Sequence, residues 1–425
     1  MQDKNEQKFA FINEKIKVKP LNKRRMVIQA IYVVGLAVVF GLVASFVFTY
    51  FQPKIEAALY PEEDPTISIP KDEPTEVTEE TETEEASAQT TEMPVVTETW
   101  EPNLEDYQTI QNQMYAIGRE ANKFIVTVTG VKSDTDWFNN PYESKGQASG
   151  IIIANNGPEL LILTEKKVIV DVQEVYVTFF NEATVQASVK KYDGNTGITV
   201  LSVPVSEVDE TTMNAISVAV LGNSLSTTQG TLTIAVGSPL GTNYSILTGN
   251  ITSTNHTIST IDANYNVFTT DIVGSPSGSG ALINLKGEVI GLVMQGYSSA
   301  GDEGTLTAVS ISDLKTLIEK LSNNQDIPYI GLNVTTVTGN IANEYDIPKG
   351  VYIKGVEMDS PAMAAGLQSG DVITAIDGEV VFSEESYENK ILALTPGEMV
   401  EIEISRQGND GYASITCVVE VGILK

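Results

Sequence analysis

The sequence predicts a mainly β chain: one transmembrane helix, a disordered acidic linker, an all-β barrel or sandwich domain, and a smaller α+β domain at the end. Three observations carry this. Residues 26–51 form an apolar run without a charged side chain, and the stretch that follows is rich in Glu, Thr and Pro. From residue 124 onward, short β-branched runs alternate with Gly, Asn, Asp and Ser without long helices between them, the pattern of barrels and sandwiches. At 425 residues the chain has length for two or three separate cores.

Taking the elements in order, the run 26–51 would span roughly 39 Å as a helix, more than the roughly 30 Å of a bilayer core. Lys15, Lys17, Lys19, Lys23, Arg24 and Arg25 precede it. By the positive-inside bias this keeps residues 1–25 as a cytoplasmic tail, inserts 26–51 in the lipid bilayer and puts the rest outside the cytoplasm. A cleaved signal peptide is the alternative, but its apolar region would be only about 7–15 residues. Residues 52–103 include PTEVTEETETEEASAQTTEMP, which has almost nothing to bury and reads as a disordered, self-repelling spacer. Cation or cell-wall contact through its carboxylates is the functional alternative. The formal net charge of −30 argues against a nucleic-acid partner, since phosphate binding needs clustered Lys and Arg. Cys417 is the one cysteine, so no intrachain disulfide can form; it sits in an alternating run and reads as a buried strand residue.

The domain expected over 104–324 opens with helical spacing at Leu104, Tyr107, Ile110, Met114 and Ile117. Strands are expected over 124–131, 150–154, 160–164, 175–180, 185–190, 199–203, 231–236 and 267–270, and a closing helix over 314–321. The domain expected over 325–425 has strands in YIGLNV and GVYIKGV, the stretch DSPAMAAGLQSGDVITAIDG, a helix over Glu384–Ala393 and the strand run in PGEMVEIEISR.

Three pieces carry a family likeness: TDIVGSPSGSGALINLKGEVIGLVM (270–294), SGIIIANNGPELLILTEKKVI (149–169) and GTLTIAVGSPLGTNYSILTGNIT (230–252). They resemble, respectively, the nucleophile loop, the strand pair leading to the catalytic His, and the middle segment of the trypsin-like serine proteases of the HtrA/Deg family. The last hundred residues resemble the PDZ domain that follows the protease there. The resemblance implies a trypsin-like double β-barrel domain followed by an α+β PDZ domain. It also implies peptide or protein C-termini as partners, a homotrimer, and work in envelope protein quality control. No cofactor and no metal is expected.

The triad implied by the resemblance is degenerate. Counting forward from Asp271 puts Ser279 at the nucleophile position; counting back from Ala281 without a gap puts Gly278 there. Lys167 stands at the family His position, Gly197 at the family Asp position, and Ser277 where an oxyanion-hole Gly is expected. Acyl transfer by serine needs a base, and the base needs a carboxylate. The single histidine, His256, reads as a solvated loop residue and falls outside the family's chain order. A pseudoprotease acting as scaffold, sensor or adaptor follows as the leading expectation. The alternative is an active endopeptidase using Ser279 with an unorthodox base such as Lys167, which would have to be buried away from other charges. In the PDZ domain, Tyr329, Ile330, Gly331 and Leu332 resemble the loop whose backbone N–H groups hold a peptide's terminal carboxylate, with Ile391 and Leu394 expected to line the groove.

Overall fold

The computed structural model describes residues 23–59, 65–72, 103–135, 141–298, 304–409 and 411–424. Most of the acidic stretch, and residues 1–22 of the N-terminal tail, lie outside them. The chain divides into two compact units, Met1–Asp64 and Pro65–Lys425.

In the first unit, helix α1 (Lys23–Leu59) contains the 22-residue segment Met26–Val47, long and apolar enough to cross a membrane. The helix runs past the expected end at Phe51.

The second unit opens with α2 (Leu104–Ala121), started by the Asn103 side chain, which accepts from the Glu105 and Asp106 amides while Asp106 reaches back to the Asn103 N–H. Then come β1 (Ile125–Thr135), β2 (Pro141–Asn155), β3 (Glu159–Glu165), β4 (Glu174–Thr178), β5 (Thr184–Tyr192) and β6 (Ile198–Pro204), which close into a barrel in the order β1-β2-β3-β6-β5-β4. A short helix α3 (Glu210–Ala215) leads to the second barrel. Its strands are β7 (Leu232–Ser238), β8 (Ser245–Ser259), β9 (Asn264–Val273), β10 (Ser279–Ile283), β11 (Val289–Met294) and β12 (Thr305–Ser310), in the order β10-β11-β12-β9-β8-β7. Closure removes the free edges that open sheets must protect. β3 and β6 are apolar on both faces and almost wholly buried, so they read as continuous hydrophobic runs. Helix α4 (Ile311–Ser322) closes the barrels, burying Ile311, Leu314, Leu317, Ile318 and Leu321 at helical spacing.

The remaining elements are β13 (Pro328–Tyr329), β14 (Leu332–Thr336), α5 (Gly339–Tyr345), β15 (Val351–Val356), α6 (Pro361–Ala364), β16 (Val372–Ile376), β17 (Glu379–Val380), α7 (Glu384–Ala393), β18 (Met399–Gly408), β19 (Gly411–Glu420) and β20 (Gly422–Ile423). Their main sheet has the order β14-β15-β16-β18-β19 around a core of its own, which includes Tyr387, Ile391 and Cys417. Asp371, 1% exposed, is neutralised by Arg406 through two bonds, Nε to Oδ1 at 2.7 Å and Nη2 to Oδ2 at 2.8 Å. The double barrel followed by an α+β domain is the architecture expected.

The expectation of a disordered linker fails over one short stretch. Residues 65–72, counted within the disordered linker, are ordered and lie on α4 and α7. The Ile67 and Ile69 amides donate to Asn323 and Glu319, both at 2.7 Å, and Lys71 Nζ donates to Asn389 of α7 at 3.2 Å. Asp72 accepts from Ser312 Oγ at 2.6 Å and pairs with Lys315 Nζ at 2.8 Å. Lys315 is 3% exposed. A buried ammonium needs a partner, and this short strap supplies it; Ile67 and Ile69 pack against the barrel core.

Candidate functional site

The candidate catalytic positions lie on three pieces of the barrels: the start of β10, the turn after β3 and the β5–β6 turn. Ser279 is the first residue of β10, pairing with Ser238 of β7 and Met294 of β11. It is 1% exposed, and its hydroxyl accepts from the Ser149 amide of β2 at 2.9 Å. The preceding turn is folded on itself: the Gly278 N–H donates to Ser275 O at 2.7 Å and the Ser277 N–H to Ser275 Oγ at 3.3 Å. An oxyanion hole needs amides free to point at developing charge. Here the Ser277 and Gly278 amides are spent inside the loop.

Lys167 lies in a single 3-10 turn, Lys166–Val168, directly after β3. Its ammonium, with the side chain 42% exposed, pairs with Glu165 at 2.8 Å. Burial pushes the Glu165 carboxyl above its ordinary value, and Lys167 pulls it back down. Gly197, in the β5–β6 turn, receives the N–H of Lys166, the neighbour of Lys167, on its carbonyl at 2.6 Å. Gly197 has φ +73°, a conformation that favours glycine. No hydrogen bond joins Ser279 to Lys167, and Gly197 has no side chain to offer. His256 is not in a loop: it is an exposed residue of β8, opposite Val267 of β9.

The second candidate site is made of backbone. Tyr329 ends β13, Ile330 and Gly331 form the loop, and Leu332 begins β14. Gly331 has φ +96°, and a Cβ there would sit 2.3 Å from Ser360 Cβ, so no other residue fits. The N–H groups of Ile330, Gly331 and Leu332 converge on one carboxylate, that of Asp262 in the β8–β9 turn: 2.7 and 2.7 Å to Oδ2, and 2.9 Å to Oδ1. Tyr387 Oη of α7 donates to Oδ1 at 2.7 Å. Burial pushes the Asp262 carboxyl up from its ordinary value, while the bonds from Gly331, Tyr387, Leu332 and Ile330 favour its charged form. Next to it Glu388 Oε1 accepts from the Asn264 backbone N–H and side chain, and burial raises its pKa to about 8. Ile391 is buried on α7 and Leu394 is its half-buried C-cap. Asp262 was not anticipated from the sequence.

Residues 148–292 match the model of the trypsin-like peptidase domain, and residues 328–417 that of the PDZ domain. Serine protease Do-like HtrA of Lactobacillus helveticus is 30% identical over 289 residues, covering 64% of this chain and 68% of that protein. The chain belongs to the HtrA family of serine proteases. A probable periplasmic serine endoprotease DegP-like of Halomonas elongata is 29% identical over 280 residues, but the chain spans only 56% of its length. Among solved structures, an HtrA-type protease AlgW with decapeptide shares the fold at a TM-score of 0.56 and 19% identity, over 73% of this chain and 98% of that one. Both candidate sites lie within the matched ranges, Ser279 in 148–292 and Ile330, Gly331 and Leu332 in 328–417.

Proposed function

We propose that this HtrA-family chain is a pseudoprotease, anchored in the membrane by 26–51 and exposed outside the cytoplasm. In this reading the protease-fold domain (104–324) serves as a frame, and the PDZ domain (325–425) captures peptide or protein C-termini as an adaptor or sensor in envelope protein quality control. The single observation that carries the reading is the state of Ser279: a buried hydroxyl bonded to the Ser149 amide, with no base in hydrogen-bond reach among the described residues. General-base catalysis requires that reach. The exposed, ion-paired ammonium of Lys167 is the opposite of the desolvated setting a lysine base needs. The apolar helix preceded by basic residues, and the periplasmic designation of the Halomonas relative, support the location. The family's homotrimer carries over as part of the same proposal.

The test is labelling by a fluorophosphonate probe together with casein turnover, on the full chain and on Ser279→Ala. The expected result is no labelling and identical background turnover. Labelling of Ser279 at the rate of a working hydrolase, with turnover lost in Ser279→Ala, would establish the endopeptidase instead.

A further inference from the structure

A PDZ domain reads a peptide end in two ways. Successive loop amides hold the terminal carboxylate, and the strand after the loop exchanges backbone bonds with the last residues. Asp262 offers both. Its side chain supplies the carboxylate to Ile330, Gly331 and Leu332, and its own backbone N–H donates to Leu332 O at 2.8 Å. The placement is built in. Thr260 and Ala263 close the hairpin with a 2.8 Å backbone bond, and Asp262 takes φ +59° at the tip, a conformation that aspartate tolerates better than most side chains. Helix α7, one wall of the groove, grips the same hairpin through Tyr387 on Asp262 and Glu388 on Asn264. On the barrel side, Asn195 Nδ2 holds Ile261 O at 2.7 Å, in the turn that carries Gly197.

We propose that Asp262 is an internal stand-in for a ligand's terminal carboxylate, so that the second barrel keeps the PDZ site occupied until a peptide C-terminus displaces the β8–β9 hairpin. The inference rests on the reading that this PDZ site takes peptide C-termini. The incoming carboxylate has the same chemistry as the one it replaces, and an extended peptide adds strand bonds along β14 that a single residue cannot make. An occupied site weakens the apparent affinity of any competitor in proportion to the fraction of molecules closed, and a tethered competitor acts at high effective concentration.

The experiment uses the full chain in lipid nanodiscs and fluorescein-labelled hexapeptides ending in Val, Leu or Phe, each with a free or an amidated C-terminus. Fluorescence anisotropy should show weak binding to the unaltered protein. Asp262→Asn should bind more tightly and Asp262→Ala at least tenfold more tightly, in both cases only with the free carboxylate. Equal affinity for all three proteins, still dependent on the free carboxylate, would overturn the inference while leaving the PDZ reading intact. No binding of any peptide to any protein would overturn both. Because Asp262→Ala leaves three buried amides without an acceptor, a second measurement needs no substitution. Saturating peptide should speed hydrogen exchange at the Asp262 and Asn264 amides of the unaltered protein while the Ile330–Leu332 amides stay protected. Peptide bound without faster exchange there would also overturn the inference.

Discussion

The barrel site and the PDZ site share one chain and one family, yet they differ in what they are made of. The first depends on side chains: the Ser279 hydroxyl accepts from the Ser149 amide, Lys167 pairs with Glu165, and Gly197 has no side chain to offer. The second depends on amides at Ile330, Gly331 and Leu332, which nearly any sequence with a glycine at 331 supplies. Chemistry carried by side chains is lost one residue at a time; recognition carried by the backbone persists while the loop keeps its shape. The same difference predicts which substitutions should hurt.

The largest effect is expected at Gly331. In Gly331→Ala a Cβ would meet Ser360 Cβ at 2.3 Å in a conformation of φ +96°, and the loop must shift. A loss of about 3 kcal/mol in urea unfolding, with peptide binding abolished, is expected. A variant as stable as the unaltered chain would show that the loop is softer than its packing implies.

Next is the strap. Asp72→Ala leaves the Lys315 ammonium, 3% exposed, without its partner, and breaking a buried pair from one side costs about 3 kcal/mol; the strap's own partial exposure brings the expectation to about 2 kcal/mol. Lys315→Met in the Asp72→Ala background should recover most of the loss, read by the same unfolding curves. Failure to recover would mean that Ile67 and Ile69, not the ion pair, hold the strap.

These two sites mark the limits of the sequence. The barrels were legible because strands such as β3 and β6 consist mostly of β-branched and leucine residues buried on both faces. β8 was not: SILTGNITSTNHTIS is polar and mostly half-exposed, and pairing on both sides, rather than apolar pattern, makes it a strand, which is also why His256 was read as a loop residue. The strap was hidden by composition, since the alternation of Ile67 and Ile69 is only two residues long and lies beside an acidic tract. The YIGL loop was visible as a motif, but its occupant was one of 56 acidic residues. The only available signal was an aspartate at the tip of a hairpin, TIDAN, which is ordinary turn chemistry.

A smaller effect, dependent on pH, is expected across the contact of α7 with the hairpin. Burial, helped by Asp313 and Glu384, raises the Glu388 pKa from 4.5 to about 8. Below 4.5 the carboxyl is protonated both folded and unfolded, and it costs nothing. As pH rises from 4.5 to about 8 the unfolded chain ionises while the folded one holds its proton, so stability falls; above 8 the loss is constant. Glu388→Gln keeps an oxygen for the Asn264 amide and removes the titration. It should stabilise the protein by about 1–2 kcal/mol at pH 8 and leave it unchanged at pH 4, by thermal unfolding across that range. A gain that is the same at both values would place the cause in packing rather than charge.

The smallest effect should come from the residue a working protease could least spare. Ser279→Ala removes the acceptor of a single buried amide, Ser149 N–H, and leaving such a donor unsatisfied costs about 1 kcal/mol. That would lower thermal stability by a few degrees, against a far larger loss at Gly331. A nucleophile held ready for attack is commonly strained, so removing it tends to stabilise or to be neutral. A measurable destabilisation on Ser279→Ala would therefore mark the hydroxyl as part of the frame between β2 and β10, whereas a gain in stability would point to a site still poised for chemistry.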